Sequence, residues 1–320
     1  MRLSILALDG VFDTGLAALL DTLGTANELA AAQGSTAAPF DFNLVGVRRR
    51  VRTALGFSTQ PEPVAHVRQP DWVVLPALNA KQPESLLAAL ARPDVRETIG
   101  HLRGWHAQGI GIAAACTGTF VLAEAGLLDH GMATTTWSLA PAFRQRFPAV
   151  DLDDSRMVVA SRRVVTAGSA MGHLDLALWL VRQASPELAT MVARFLLIDQ
   201  RASQAHYIVP DYVAHADPLI ARFERWSREH LSAGFSLNDA ASALCVGPRT
   251  LQRRTEAVLG KSPLAFFQDL RIERARQLLS AGCDLEKIAS EVGYADSATL
   301  RTLLRRKLGH GVREMRADRR

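Results

Sequence analysis

Near the C-terminus, the alternation of hydrophobic and polar positions predicts two short helices separated by a tight turn. The first covers residues 285–291, and Gly293 follows it where a helix end favours a left-handed residue. Asp296 and Ser297 offer side-chain oxygens that can cap the second helix. The apolar positions are Ile288, Ala289, Val292, Leu300 and Leu304. One face of each helix is therefore expected to be buried against the other.

The opposite face of the second helix is polar and cationic, with Thr299, Arg301, Thr302 and Arg305. A cationic helix held against a buried partner helix fits the major groove of DNA. Residues 285–306 therefore match the pattern of a helix-turn-helix.

The same pattern occurs earlier, over residues 237–254. Its turn covers residues 245–247, and Pro248 follows at the first helical position, which tolerates proline. The inward positions are Ala240, Ala241, Leu244 and Leu251, and the outward positions are Arg249, Thr250, Gln252 and Arg253. The chain thus carries two helix-turn-helix patterns.

The two copies align along the sequence. Ala241 corresponds to Ala289 at an offset of 48 and Leu251 to Leu300 at an offset of 49, so the second turn is one residue longer. Between the copies, residues 263–281 predict an amphipathic helix about 27 Å long. Major grooves on one face of DNA recur about every 34 Å. A helix of this length can place two reading helices in adjacent grooves.

Residues 3–199 alternate short apolar runs, typical of strands, with helical patterns. The predicted strands are 3–8, 40–47, 72–78, 110–115, 157–161 and 164–167, the last two forming a hairpin. The predicted helices are 16–32, 84–90, 95–108, 120–125, 173–183 and 186–199. This alternation indicates an α/β domain with a mostly parallel sheet covered on both faces.

The length of 320 residues suits two domains, and the charge distribution separates them. From Asp217 onward there are 19 Lys and Arg against 13 Asp and Glu, a net charge of +6, whereas residues 1–216 carry 18 against 19. This asymmetry suggests a nucleic-acid-binding module joined to a neutral one, although a solvated basic surface gives the same count. Residues 201–216 lack a clean period and contain Pro210. The predicted domains are 1–200 and an all-α domain at 217–320, with a linker at 201–216.

Other features narrow the class of protein. No apolar run reaches the length of a membrane span, and the apolar N-terminal segment is too short for a signal peptide. The cysteines Cys116, Cys245 and Cys283 have neither paired nor metal-like spacing. An odd, sparse cysteine count fits a reducing cytoplasm. The sequence predicts a cytoplasmic protein without a metal or other cofactor.

One segment of the N-terminal domain carries candidate chemistry. Cys116 directly follows a predicted buried strand, and Gly118 permits a sharp turn into a helix. The N–H groups and dipole at a helix start stabilise an anion, so Cys116 can be a nucleophile with a lowered pKa. The alternative is a small buried hydrophobic side chain.

The sequence CTGTFVLAEAGLLDHGMATTTW, residues 116–137, resembles the cysteine-elbow region of the PfpI-like branch of the class I glutamine amidotransferase-like superfamily. It is most similar to the versions in GlxA-like transcriptional regulators, and the resemblance covers roughly residues 3–199. It implies a flavodoxin-like sandwich. In enzymatic relatives the elbow Cys works with a His directly before the Trp, a position held by Thr136 here. The family also places an acid near the Cys, for which Asp13 is the candidate.

The resemblance therefore implies a fold kept for binding after its chemistry was lost. The expected ligand cleft lies at the carboxyl ends of the strands. Its predicted lining residues are Asp13, Cys116, Thr117, Thr136 and Trp137. Each has a structural alternative: Trp137 as core, Thr136 as a β-favouring residue, and Asp13 as a helix cap. His173 is a candidate substitute base or, alternatively, a solvated or capping group.

Residues 217–316 closely resemble the AraC/XylS-type DNA-binding domain. The matching motifs are PRTLQRR, LGKSP, RIERARQLL, KIASEVGYAD and a final LG…R. Positions that depart from the family pattern are Thr255, Leu300, Thr302, Leu304, Val312 and Met315. Thr302 replaces a common Arg, so fewer phosphate contacts are expected from the second copy.

The resemblance, together with the positions predicted to be exposed, indicates which residues contact the bases of DNA and which contact its phosphates. Residues predicted to contact bases are Arg249, Thr250, Arg253, Thr299 and Arg301, since Arg can bond guanine bidentately. Residues predicted to hold phosphates are Arg254, Lys261, Arg305, Arg306 and Lys307. The alternative for each Arg is a solvated helix face.

These observations predict a sequence-specific transcriptional regulator. Its N-terminal domain would bind a small effector, which the family resemblance suggests is a nitrogen-containing metabolite, and would form a homodimer. Its C-terminal domain would bind double-stranded promoter DNA. A second hypothesis is a cysteine amidase, hydratase or glyoxalase-like enzyme. A third is a redox-sensing regulator in which Cys116 is oxidised to sulfenic acid.

Overall fold

The chain divides into two compact units, Met1–Ala205 and His206–Arg320. The computed structural model describes residues 1–35, 39–199, 201–215 and 217–308, apart from the side chains of His206, Asp211, Ser280 and residues 306–308. Within these residues, no helix combines the length and the apolar character needed to cross a membrane. The predicted positions Val312 and Met315 lie outside the described residues.

The first unit is an α/β sandwich. Its strands are β1 (Arg2–Leu6), β2 (Asp41–Gly46), β3 (Val51–Arg52), β4 (Ser58–Thr59), β5 (Glu62–Pro63), β6 (Trp72–Leu75), β7 (Gly111–Ala115), β8 (Met132–Ala133), β9 (Asp151–Leu152), β10 (Val158–Ser161) and β11 (Val164–Ala167). Its helices are α1 (Asp13–Ala32), α2 (Pro83–Leu90), α3 (Pro93–Ala107), α4 (Gly118–Glu124), α5 (Ala140–Arg146), α6 (Gly172–Ala184) and α7 (Pro186–Phe195).

Seven of the strands form one sheet in the order β10-β11-β7-β6-β1-β2-β5. Every neighbouring pair is parallel except the β10–β11 hairpin. Side chains alternate between the two faces of each strand. Leu3 and Ile5 pack with α1, α6 and α7, whereas Leu6 packs with the apolar residues of α2 to α5. The predicted mostly parallel sheet covered on both faces is confirmed.

Most predicted elements are present with bounds shifted by a few residues. The helix predicted over 186–199 ends at Phe195, and Leu197 has a left-handed φ of 54°. The sequence analysis missed α5, the small β3–β4 hairpin and the β8–β9 pair. These elements are short, so their hydrophobic periodicity is too brief to recognise.

The second unit is helical. Its helices are α8 (Pro210–Ala214), α9 (Pro218–Glu229), α10 (Leu237–Ala243), α11 (Pro248–Leu259), α12 (Pro263–Ser280), α13 (Leu285–Glu291) and α14 (Ser297–Leu308). In the segment predicted as a linker, Gln204 is buried within the first unit and α8 packs against α9 in the second.

Helix α12 contributes to two apolar cores. Near its start, Phe266 packs against Phe223 of α9, with ring centres 5.8 Å apart. Farther along, Ala275 and Leu279 pack with the buried residues of α13 and α14. Because one rigid helix serves both cores, the two helix-turn-helix copies share a single scaffold.

Candidate functional site

Cys116 lies at a sharp elbow between β7 and α4. It has a left-handed φ of 55°, and its N–H donates to Ala167 O on β11 at 2.8 Å. The turn packs closely on β6, since a Cβ at Gly118 would lie 2.8 Å from Leu75 O. A left-handed non-glycine residue costs roughly 1–3 kcal/mol and persists only where its surroundings hold it, commonly at functional sites.

The Cys116 thiol is only 8% exposed, and its burial raises its pKa to about 11. The Thr117 backbone and the Thr136 hydroxyl act in the opposite direction without overcoming burial. The expectation of a lowered pKa is therefore wrong, and the alternative of a small buried side chain describes Cys116 better. At neutral pH the thiol is protonated, and a hydroxyl occupies the place of a basic imidazole.

Three consecutive threonines complete this side of the candidate cleft. Thr135 Oγ1 donates to Cys116 O at 2.8 Å, and Thr136 Oγ1 lies 3.1 Å from Ser138 Oγ. On the other side of the elbow, Thr117 Oγ1 donates to Leu78 O at 2.6 Å. Cys116, Thr117 and Thr136 are thus brought together, while Trp137 is half-buried at the start of the adjoining 3-10 helix.

Asp13 is the first residue of α1, at the same edge of the sheet. The preceding residue, Phe12, donates its N–H to Ala77 O at 2.8 Å. Asp13 Oδ2 accepts a hydrogen bond from Leu55 N–H at 2.9 Å, whereas its buried Oδ1 has no hydrogen-bond partner among the described residues. The α1 N-cap is Phe12, without a side-chain cap, so Asp13 anchors the β3–β4 turn instead of capping the helix.

His173 is fully buried, and both of its ring nitrogens are engaged. Nε2 lies 3.0 Å from Ala77 N–H, which donates to it, and Nδ1 lies 2.6 Å from Ala170 O. Burial lowers the pKa of His173 to about 4. A Cβ at Gly15 would overlap the imidazole, so the ring fills space that only glycine leaves open. His173 is therefore a neutral, buried residue that links Ala77 to Ala170 by hydrogen bonds. This arrangement excludes the hypotheses that His173 replaces the missing catalytic base or is a solvated group.

The first helix-turn-helix copy consists of α10 and α11. Its predicted inward residues Ala240, Ala241, Leu244 and Leu251 are buried, and its predicted outward residues Arg249, Thr250, Gln252 and Arg253 are exposed. The buried and exposed faces are therefore those expected from the sequence. Helix α11 presents two arginines to solvent without an acidic residue in its first turn.

The second copy consists of α13 and α14. All five predicted apolar residues are buried, and Thr299, Arg301, Thr302 and Arg305 are exposed. Asp296 caps α14, because its Oδ1 accepts from Thr299 N–H at 2.6 Å. Ser297 does not act as a cap: its hydroxyl donates to the Glu286 carboxylate.

Two of the predicted phosphate contacts are paired inside the second unit. Arg254 Nη2 lies 2.5 Å from Asp217 Oδ2, and the same Asp217 caps α9. Lys261 Nζ lies 2.9 Å from Asp269 Oδ2. Both side chains therefore make ion pairs within the unit, and because the Arg254 side chain is still 54% exposed, their contacts with phosphates stay predictions. Arg305 is exposed, while the side chains of Arg306 and Lys307 lie outside the described residues.

Arg271, which was not among the residues predicted from sequence, links the α9–α10 loop to the turn of the second copy. Its Nε and Nη2 donate to Leu231 O at 3.0 and 2.7 Å. Its guanidinium carbon lies 4.8 Å from the Phe267 ring centre and 5.1 Å from that of Tyr294. Burial lowers the pKa of Arg271. The sequence signal is an Arg within the RIERARQLL motif, and only packing identifies it as internal.

The described residues contain no group of three or more His, Cys, Asp or Glu that could hold a metal ion.

Comparisons with known proteins agree with this architecture. Residues 240–318, which include the second copy and all but the first three residues of the first copy, match the helix-turn-helix domain family. The chain is 27% identical to the HTH-type transcriptional regulator GbdR of Pseudomonas aeruginosa over 232 residues, covering 71% of this chain and 63% of the relative. It is 27% identical to the HTH-type transcriptional regulator GlxA of Rhizobium meliloti over 200 residues, covering 59% and 60%. The chain spans less than two thirds of the length of these curated relatives.

A solved THiJ/PfpI family protein from Pseudomonas syringae matches 83% of this chain and 90% of its own, with 18% identity and a TM-score of 0.51. This likeness supports the fold alone, and it agrees with the predicted PfpI-like architecture. The resemblance to GlxA-like regulators is confirmed by the curated relatives. The likeness to AraC-type proteins is carried by a putative AraC-like transcription regulator of Streptomyces antibioticus, 34% identical over 95 residues that cover 29% of this chain and 31% of the relative.

Proposed function

We propose that this protein is a cytoplasmic, sequence-specific transcriptional regulator that binds double-stranded promoter DNA through both helix-turn-helix copies. Its first unit binds a small effector and forms the homodimer. The observation that carries the proposal is the pair of exposed cationic helices, α11 and α14, built on the single scaffold helix α12. A rigid scaffold fixes the spacing of two reading helices, as sequence-specific recognition of adjacent grooves requires.

The proposed base contacts are Arg249, Thr250, Arg253, Thr299 and Arg301. The proposed phosphate contacts are Arg254, Lys261, Arg305, Arg306 and Lys307. Among the described side chains, those of Arg254 and Arg305 are exposed. Arg254 and Lys261 support the scaffold through Asp217 and Asp269. The effector cleft is proposed at Asp13, Cys116, Thr117, Thr136 and Trp137, with nitrogen-containing metabolites as the first class to screen.

The test is selection of a preferred duplex from a random pool by gel shift with the full chain. We expect a sequence whose complex survives excess competitor DNA. Weak binding that is abolished by moderate salt and shows no preferred sequence would reject the proposal, because phosphate contacts alone give that behaviour.

Two arginine variants separate specificity from general affinity. Arg253→Ala should weaken binding to the selected site by about 1–3 kcal/mol and relax base preference at one position. Arg305→Ala should weaken all sequences alike and reduce the slope of log K against log salt by about 1. Equal loss of base preference in both variants would contradict the assigned roles.

An enzyme using Cys116 is the second candidate, and the thiol chemistry argues against it. A raised pKa leaves little thiolate at neutral pH, and the thiolate is the nucleophile. We expect iodoacetamide to modify Cys116 at a rate that keeps rising from pH 8 to about pH 11, following its pKa of about 11. A rate that levels off below pH 8 would instead indicate an activated cysteine. Peroxide-insensitive DNA binding would likewise argue against the redox-sensor hypothesis.

A further inference from the structure

Gln204 is a fully buried polar residue at the end of the first unit. Its Nε2 donates to Thr135 O at 2.9 Å, and its Oε1 accepts from Ser169 Oγ at 2.7 Å. Nε2 also lies 3.2 Å from Thr134 Oγ1 and from Arg156 O. A buried amide is costly unless its donors and acceptor are paired, and here both ends are paired.

These bonds connect Gln204 with the candidate cleft. Thr135, whose carbonyl accepts from Gln204, donates its hydroxyl to Cys116 O. Cys116 N–H donates to Ala167 O, and two residues farther along the backbone Ser169 donates back to Gln204. The hydrogen bonds and this short stretch of backbone form a closed ring through the cleft and the last residues of the unit.

The space around the ring is tight. A Cβ at Gly168 would overlap the Gln204 amide, so this position accommodates only glycine while Gln204 is buried. The backbone around Gln204 is held as well: its N–H donates to Ser155 O at 2.8 Å, and Ser203 Oγ donates to the same oxygen at 2.7 Å. Residues 201–205, which we name the strap, are therefore hydrogen-bonded to the loops around Ser155 and Thr135.

We propose that Gln204 is a positioning residue that couples occupancy of the cleft to the strap, and hence to the chain segment leading into the DNA-binding unit. The inference rests on the proposed function. A ligand that shifts Cys116 or Thr136 must strain or break the Thr135–Cys116 bond. Gln204 cannot follow partway without leaving a buried polar group unpaired, so the ring favours two discrete arrangements.

Hydrogen exchange of the full chain tests the coupling without knowledge of the effector. Gln204→Met keeps the volume and removes the amide. We expect amide exchange at Cys116 and Thr134 to rise at least about fivefold, the lower end of usual coupling factors. The matched control is Ser203→Ala, which removes the hydrogen bonds of Ser203 Oγ with Ser155 O and Ala205 N–H and leaves every bond of the ring in place. Its effect should stay within residues 203–205. Unchanged exchange at Cys116 in Gln204→Met, or equal effects in both variants, would overturn the proposal.

The reverse direction uses the other side of the ring. Coupling is reciprocal, so Thr135→Val, which removes the hydroxyl bond to Cys116, should raise hydrogen exchange at the backbone N–H of Gln204. Thr135→Ser keeps a hydroxyl and should restore the original exchange rate. If Gln204→Met does not fold, the two Thr135 variants still test the coupling between Gln204 and Cys116. Absence of any change at Gln204 in Thr135→Val would contradict the coupling.

DNA affinity separates this proposal from the proposed function. With the selected duplex, Gln204→Met should change Kd about fivefold or more while Ser203→Ala leaves it unchanged. Altered exchange with unaltered Kd would overturn the regulatory role of Gln204. Failure of the unmodified protein to select any duplex would reject the regulator itself, whatever the exchange data show.

Discussion

The two helix-turn-helix copies use the same turn with different residues. Cys245 and Gly293 occupy equivalent positions, with left-handed φ angles of 58° and 75°. Their N–H groups donate to Ser242 O at 3.0 Å and Ser290 O at 3.1 Å. The side chain at the first position is exposed, whereas a Cβ at Gly293 would lie 2.5 Å from Leu231 O. The turn at Cys245 is therefore open to solvent, whereas the turn at Gly293 packs against the backbone at Leu231, although the two turns have the same left-handed backbone conformation.

The starts of the reading helices differ as well. Helix α11 begins after Gly247 with no side-chain cap, so its first N–H groups remain available to an anion. Helix α14 begins after Asp296, whose carboxylate already binds Thr299 N–H, and the Glu286 carboxylate binds Ser297. The second copy is better capped and more acidic at the helix end that is proposed to contact DNA. Capping stabilises the helix but opposes binding of a phosphate at the same end.

Substitution of Arg271 in α12 should have the largest effect on the difference between the two turns. Arg271→Met removes two hydrogen bonds to Leu231 O and the contacts with the Phe267 and Tyr294 rings, so the second copy should lose stability. We expect a loss of about 2 kcal/mol, measured by hydrogen exchange of α13 and α14 amides. The control is Arg274→Met, whose partner Glu291 is a half-exposed surface residue. It should cost less than about 1 kcal/mol. A loss no larger than that of the control would show that the Arg271 contacts do not stabilise the second copy.

The equivalent turn positions give the next largest effect. Gly293→Ala forces a side chain against the Leu231 and Ser232 carbonyls in a left-handed conformation, and we expect a cost of roughly 1–3 kcal/mol. Cys245→Gly should change the free energy of unfolding by less than about 1 kcal/mol, because relief of left-handed strain is offset by the flexibility of glycine. Urea unfolding of the two variants checks the contrast. Equal losses would mean that the two turns are packed alike.

Asp296→Asn gives the smallest effect, because asparagine can still cap the helix. Removal of the negative charge should tighten binding to the selected duplex a few-fold, measured by titration at low salt.

The Thr299 N–H and hydroxyl lower the pKa of Asp296. Its carboxylate therefore stabilises the fold above the ordinary aspartate range, and this contribution is lost as pH falls through the lowered value. On acidification, the melting temperature of the unmodified protein should fall toward that of the Asp296→Asn variant. If the difference between the two melting temperatures does not change with pH, the Asp296 carboxylate does not stabilise the helix as a cap.

The alternation of strands and helices in the first unit was readable from sequence because each long element has its own hydrophobic period. The repeat at offsets of 48 and 49 likewise predicted both helix-turn-helix copies, and Leu300 and Leu304 are buried as expected despite replacing phenylalanines. Short elements such as β8 and β9 escaped prediction, because two residues cannot express a period. The Cys116 elbow was predicted, but the direction of its pKa shift was not, since burial depends on the neighbouring Thr134–Thr136 segment.

Sequence by itself determined where the longer helices and strands lie and which of their faces are apolar, because those properties repeat locally along the chain. Tertiary structure alone decided which polar groups remain available. Arg254 is paired with Asp217, 37 residues away, and His173 with Ala77, 96 residues away. Gln204 is enclosed by residues as far as 70 positions distant. Charge and hydrogen-bond partners are set by proximity in the folded state, and no local pattern encodes a contact between segments that meet only when the sheet and helices assemble.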